Sequence, residues 1–232
     1  MIFNKLKKEK IRLIAKISDK LFKTTKFSNY QKLYAKYYQN DYILNKNQFS
    51  FVHIPKTAGT YYHKWLKDHL TDIYYYSHNA VSLKCNPERY KYITIIRNPI
   101  QRIKSFYLMQ KSNKKLAYHI HANIGLEFFL QKTWMCRNGM CKFLNGNINE
   151  ELNQNLYEVS LKNLKNFFFV VDFNNLLNDS NKLLEKLKIK KKYEIDAIKI
   201  NRREVFENEK DIIERYNYYD LKLFKLFKGN LI

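Results

Sequence analysis

Phe49-Ser50-Phe51-Val52-His53-Ile54-Pro55-Lys56-Thr57-Ala58-Gly59-Thr60 is the stretch on which the reading of this chain turns. Its first six residues make a compact β-prone run. Beyond the loop that follows, Tyr62, Trp65, Leu66 and Leu70 mark one face of a helix. Strand, tight loop, helix is the order of phosphate-binding α/β domains. Such a loop points backbone N–H groups at a common centre, and the helix N-terminus adds partial positive charge. Gly59 permits close backbone approach, Thr57 and Thr60 offer hydroxyls, and Lys56 supplies a full charge. With Ala58 between them, these residues form a candidate cradle for a terminal phosphate. It is not a Walker A loop, because the lysine precedes the glycine.

Downstream, Ile73–Tyr76 reads as a second strand and Tyr92-Ile93-Thr94-Ile95-Ile96 as a third, apolar enough to be buried on both faces. Arg97-Asn98-Pro99 follows, where a helix begins: Asn98 suits the N-cap, Pro99 the first helical position and Gln101 the reciprocal capping site. Ile100, Ile103 and Tyr107 form its buried stripe. Arg97 can grip a phosphate bidentately. Ser105, two turns into the helix, can add a hydroxyl, although a small residue there also suits helix packing. Further helices are expected over Ile124–Lys132 and Glu150–Leu164, a fourth strand over Phe167–Val171, a helix over Asn174–Leu187, and mostly helix over Glu204–Phe227. The expected fold is α/β, a P-loop-like three-layer sandwich with a central, mostly parallel sheet flanked by helices.

Ligands of open α/β sheets sit at the carboxyl ends of strands, where both basic constellations fall. A kinase needs Mg²⁺ and an acidic residue to hold it, commonly at the end of a neighbouring apolar strand. Here the best such strand ends in Arg97. Two phosphate sites without an evident metal carboxylate favour a donor that carries two separate phosphate groups and is used without metal. PAPS (phosphoadenosine phosphosulfate) has that arrangement.

The segments Phe51–Thr60 and Tyr92–Tyr107 resemble the 5′-phosphosulfate loop and the 3′-phosphate motif of the PAPS-dependent carbohydrate O-sulfotransferases, nearest the heparan sulfate 2-O and 6-O branch. Trp134–Gly146 is similar to a family segment reading N-x-Q-x-R-x-L, with Met140 where the glutamine would stand. Phe167–Leu187 and Tyr219-Asp220 also look familial, so the likeness runs from about Phe49 to Phe227. The resemblance implies that His78, just after the second strand, is the catalytic base, and that Lys56 is catalytic as well as donor-binding. It further implies that Arg97 and Ser105 hold the 3′-phosphate, that PAP is the product, and that the acceptor is a sugar hydroxyl. The acceptor expected is a cell-surface or capsular glycan or its precursor, anionic or lipid-linked.

Composition sets the outer limits. The 232 residues fit one domain, 45% are hydrophobic and 16% aromatic, so the chain has material for a core. The formal net charge of +22 favours anionic partners. The abundance of Lys, Asn, Ile, Tyr and Phe also points to an AT-rich coding sequence, so the charge permits rather than diagnoses. Three cysteines, Cys85, Cys136 and Cys141, give no disulfide framework and suit a reducing cytoplasm. Residues 1–45 read as a basic helical extension and 46–232 as the sulfotransferase domain. Phe3, Leu6, Leu13, Ile14, Ile17 and Leu21 lie at helical spacing among lysines. That helix either packs on the domain or rests as a peripheral foot on a membrane surface. No signal peptide or membrane span is expected.

Other readings stand beside these. His53 alternates into the strand as a core histidine, and Arg102 reads as structural. His119 and His121 with Cys136 and Cys141 do not match zinc spacings, so no metal is expected. No nucleic-acid motif is present. The alternative enzyme is a P-loop-type small-molecule kinase using ATP and Mg²⁺. Oligomeric state is left open by these residues.

Overall fold

Four strands, β1 (Phe49–His53), β2 (Ile73–Ser77), β3 (Lys91–Ile96) and β4 (Phe169–Asp172), pair in the order β2-β1-β3-β4. All three pairings are parallel, with Phe49 opposite Ile73, Val52 opposite Thr94 and Ile96 opposite Asp172. This computed structural model describes residues 49–70, 73–77, 91–147, 150–189 and 207–229. All of them fall within one compact unit, Leu44–Ile232. The N-terminal extension, His78 and Cys85 lie outside the described residues.

Alternation along the strands sends side chains to opposite faces, and both faces are covered. On one face Phe51, Ile93, Ile95 and Val171 pack against Tyr62, Trp65 and Leu66 of α1 (Gly59–His69) and Leu183 and Leu184 of α7 (Leu176–Lys186). On the other, Val52, Tyr92 and Ile96 pack against α5 (Gly139–Asn145), α6 (Gln154–Lys165) and α9 (Tyr218–Lys228). The result is helix, sheet and helix in three layers. The remaining described helices are α2 (Pro99–Ser112), α3 (His119–Ile124), α4 (Leu126–Lys132) and α8 (Glu207–Tyr216). Among the described residues no helix is long and apolar enough to cross a membrane.

Several boundaries depart from the sequence expectation for local reasons. The helix expected over Ile124–Lys132 begins at Leu126; Ile124 ends a separate helix, and Gly125 between them, at φ 151°, interrupts the spiral. The fourth strand starts two residues late, because Phe167 turns into the core and stacks on Tyr92 at 5.3 Å between ring centroids. Asn98 caps α2 as expected, accepting from the amides of Ile100 (3.0 Å) and Gln101 (3.2 Å). The Gln101 side chain makes no return bond among the described residues.

The strand order fixes where a ligand can sit. From β1 the chain passes to β2 on one side, and from β3 to β4 on the other, so the crevice opens at the carboxyl ends of β1 and β3. That is the topological switch point of a doubly wound sheet. Both basic constellations leave the sheet there.

Candidate functional site

The two constellations touch. Arg97, the residue after β3, donates from Nη1 to the backbone carbonyl of Lys56 at 2.9 Å, tying the end of β3 to the loop after β1. Its guanidinium lies over the Phe173 ring, 4.1 Å from the centroid. Arg97 is only 8% exposed and forms no ion pair among the described residues; Nε is buried without a hydrogen-bond partner. Desolvation, reinforced by the nearby Arg102 charge, pulls its pKa down to about 10. A buried guanidinium in this state is short of an anion.

The loop itself is wound with alternating hand. Lys56 and Ala58 both adopt left-handed backbone, at φ 70° and 64°, while Thr57 between them does not. Alternation of hand turns successive N–H groups towards one side, the geometry of an anion nest. Left-handed backbone costs a residue with a Cβ roughly 1–2 kcal/mol, so the loop holds its shape against local preference. The amides of Gly59 and Thr60, in the first turn of α1, have no acceptor among the described residues.

Two members of the cradle play parts the sequence did not reveal. Thr57 is fully buried and donates its hydroxyl to the Ile54 carbonyl at 2.8 Å, closing the loop rather than facing a ligand. Gly59 is needed for the buried His53: a Cβ there would overlap the imidazole ring. The close approach that glycine permits is therefore made by this protein's own side chain. His53 stacks on Phe51 and is 3% exposed, a core residue as its alternation implied. Thr60 remains exposed on the first turn.

Lys56 reaches towards α2, its Nζ donating to the Met109 sulfur at 3.3 Å. A thioether is a weak acceptor, so phosphate oxygens would be a stronger partner. Ser105 stands one turn before Met109 and shares its half-buried face with Gln101, at i−4, and Met109, at i+4. Lys56 thus meets Arg97 through its carbonyl and α2 through its ammonium, one turn beyond Ser105. His78 lies outside the described residues.

Two residues at this rim went unnoticed in the sequence. Phe173 supports the Arg97 guanidinium. Asp172 ends β4, opposite Ile96, so an acidic residue does stand at the end of an apolar strand beside the site. The signal was legible in Phe169-Val170-Val171-Asp172, where the expected strand stopped one residue short. Its carboxylate is engaged, accepting from the Asn174 amide (2.9 Å) and from Lys228 Nζ (2.6 Å).

Behind the site, Arg102 is fully buried and donates to the Met135 carbonyl (3.1 Å) and to Asp220 (3.4 Å), in keeping with a structural role. Met140 is core, and its amide donates to Asp220 at 2.9 Å. Among the described residues no three His, Cys, Asp or Glu side chains converge as a metal site. Neither a protein-family model nor a curated protein matches this chain.

Proposed function

We propose that this chain is a sulfotransferase that moves a sulfo group from PAPS to a hydroxyl, on a cell-surface or capsular glycan or its precursor. The observation that carries the reading is the Arg97–Lys56 contact. A buried guanidinium without a counter-carboxylate among the described residues and a wound loop adjoin at one switch point. A donor with two separated phosphate groups matches two adjoining anion sites; a single phosphate would use one.

In this reading the P-loop-like loop Lys56-Thr57-Ala58-Gly59-Thr60 binds the 5′-phosphosulfate through its amides. Arg97 and Ser105 hold the 3′-phosphate and fix the donor's register. His78 takes the proton from the acceptor hydroxyl as its oxygen attacks sulfur in line. The new bond is O–S; the bond broken joins sulfur to the bridging oxygen of the phosphosulfate, and PAP departs with that electron pair. Lys56 stabilises the charge that develops on the bridging oxygen. These steps call on no metal ion.

Asp172 supports a second reading, a P-loop-type kinase of a small molecule, because an acidic residue at the end of the neighbouring strand could hold Mg²⁺. The engagement of its carboxylate by Lys228 counts against that use. Calorimetry separates the two. The sulfotransferase binds PAP in EDTA and loses that binding on Arg97→Ala. Binding of ATP with Mg²⁺, and none of PAP, would establish the kinase instead.

A further inference from the structure

The two most exposed large apolar side chains among the described residues stand on one short helix. Ile120 is 72% and Ile124 62% exposed, and at i and i+4 on α3 they share its outer face. An isolated exposed isoleucine calls for no explanation; a stacked pair does. The helix that carries them is held firmly. Its inner face buries Ala122, and Tyr118 just before it packs edge-on against Phe106, ring centroids 6.2 Å apart. The Tyr118 amide donates to Gln110 Oε1 at 3.0 Å. His119 ties α3 to the end of α2: Nδ1 donates to the Gln110 carbonyl (2.9 Å), and Nε2 accepts from the Asn123 side chain (2.7 Å). Fixed in this way, α3 presents its isoleucines outward.

Lysines flank the pair on both sides. Lys111, Lys114 and Lys115 are exposed at the end of α2 and in the turn that leads into α3. That turn is tightly wound, the Asn113 side chain and carbonyl accepting from the amides of Lys115 and Leu116, each at 3.0 Å. Lys132, exposed at the end of α4, lies near enough for its charge to act on His121 of α3. The one carboxylate between Lys111 and Lys132, that of Glu127, already faces Arg215 at 3.9 Å. Four lysines and two protruding isoleucines therefore meet a single, paired carboxylate. A standard protein interface covers roughly 800 Å² on each side, far more than two isoleucines can cover. A bilayer demands no such match of shape: apolar side chains enter the headgroup and acyl boundary while lysines meet anionic headgroups.

We propose that α3 and the turn before it form a docking face for an anionic lipid surface. Ile120 and Ile124 enter the bilayer interface, and Lys111, Lys114, Lys115 and Lys132 meet the headgroups. The inference goes beyond the sulfotransferase reading and holds whatever the crevice binds. The helix α2 links the two places: its first turn follows Arg97, and its last turn, about 20 Å along the axis, leads into this face.

The test sediments the full chain with vesicles of phosphatidylcholine, alone or mixed with phosphatidylglycerol. At low salt the wild type should partition onto the anionic vesicles and far less onto the neutral ones. Ile120→Ser combined with Ile124→Ser should weaken that partitioning about tenfold or more. Lys114→Gln and Lys115→Gln should each weaken it about fivefold. All four side chains are exposed, so the thermal midpoint should hold. Because the basic N-terminal extension is a second candidate for lipid contact, a local readout is added. Ile124→Trp should lose fluorescence to brominated acyl chains, whereas Leu177→Trp, an exposed position on α7, should not. Undiminished partitioning of the double isoleucine variant overturns the docking face, as does quenching no greater at position 124 than at 177. A solution dimer that the same double variant dissolves, without vesicle binding by the wild type, would assign the face to a second copy of the chain and overturn the lipid proposal.

Discussion

Asn138 and Asp220 cap each other's helices. The Asn138 side-chain oxygen accepts from the amides of Tyr219 (2.9 Å) and Asp220 (3.2 Å), at the start of α9. The Asp220 carboxylate accepts from Met140 and Cys141, in the first turn of α5. The same carboxylate is the only counter-charge among the described residues for the fully buried Arg102. Asp220→Ala therefore strands a buried cation and two helix-end amides together. Urea denaturation should show a loss of about 3–5 kcal/mol, the usual cost of breaking a buried pair from one side. A loss under about 1 kcal/mol would show that solvent reaches Arg102.

Gly59 and His53 should behave as a coupled pair. Gly59→Ala drives a methyl into the imidazole, an overpacking that costs about 1–3 kcal/mol. His53→Ala removes the obstacle at the price of a cavity. In a double-mutant cycle followed by thermal unfolding, Gly59→Ala should then be nearly neutral in the His53→Ala background. Additive losses would mean that the glycine serves backbone conformation or a ligand instead.

Arg97 should cost stability where it supplies binding. Arg97→Met replaces a buried cation that has no counter-ion among the described residues with an apolar side chain, so the ligand-free variant should gain on the order of 1 kcal/mol at pH 7 while losing PAP binding. The sign with pH follows from the lowered pKa. The unfolded chain holds the Arg97 proton more tightly than the folded one. The wild type therefore gains stability relative to Arg97→Met as pH rises from about 10 towards the ordinary arginine value of 12.5. A difference that stays flat across that window would mean the guanidinium is well solvated.

Under the proposed sulfotransferase reading, Lys56→Ala and His78→Ala should each abolish sulfo transfer from PAPS. His78→Ala should still bind PAP with near-normal affinity by calorimetry, since the base does not grip the donor. Ser105→Ala should weaken PAP about five- to tenfold, the loss of one hydrogen bond to a charged group. Full turnover by the His78 variant would remove it from the mechanism.

The parts legible in the sequence are those that local rules specify. The run from Phe49 to Leu70 announces strand, loop and helix through its β-branched and aromatic cluster, its Pro and Gly, and its helical spacing. Asn98-Pro99 announces the start of α2 just as directly. What was hidden depends on partners far along the chain. Nothing near Asp220 shows that it serves α5, because its partners Met140 and Cys141 lie 80 and 79 residues away. The mostly helical stretch expected over Glu204–Phe227 divides at Asn217, whose side-chain amide donates to the carbonyls of Cys136 (2.8 Å) and Ile213 (2.9 Å), and only the first of these is a tertiary contact. Thr57 misled for another reason. A loop threonine can face a ligand or close its own turn, and composition does not choose between them.

The bond from Arg102 to Asp220 spans 118 positions. During synthesis, Arg102 leaves the ribosome long before its carboxylate exists. Until α9 emerges and docks, Arg102 lacks that counter-charge and the Met140 and Cys141 amides lack their acceptor. Docking of α9 is therefore the step that neutralises Arg102, and chains stalled short of it should be the species for which chaperones compete.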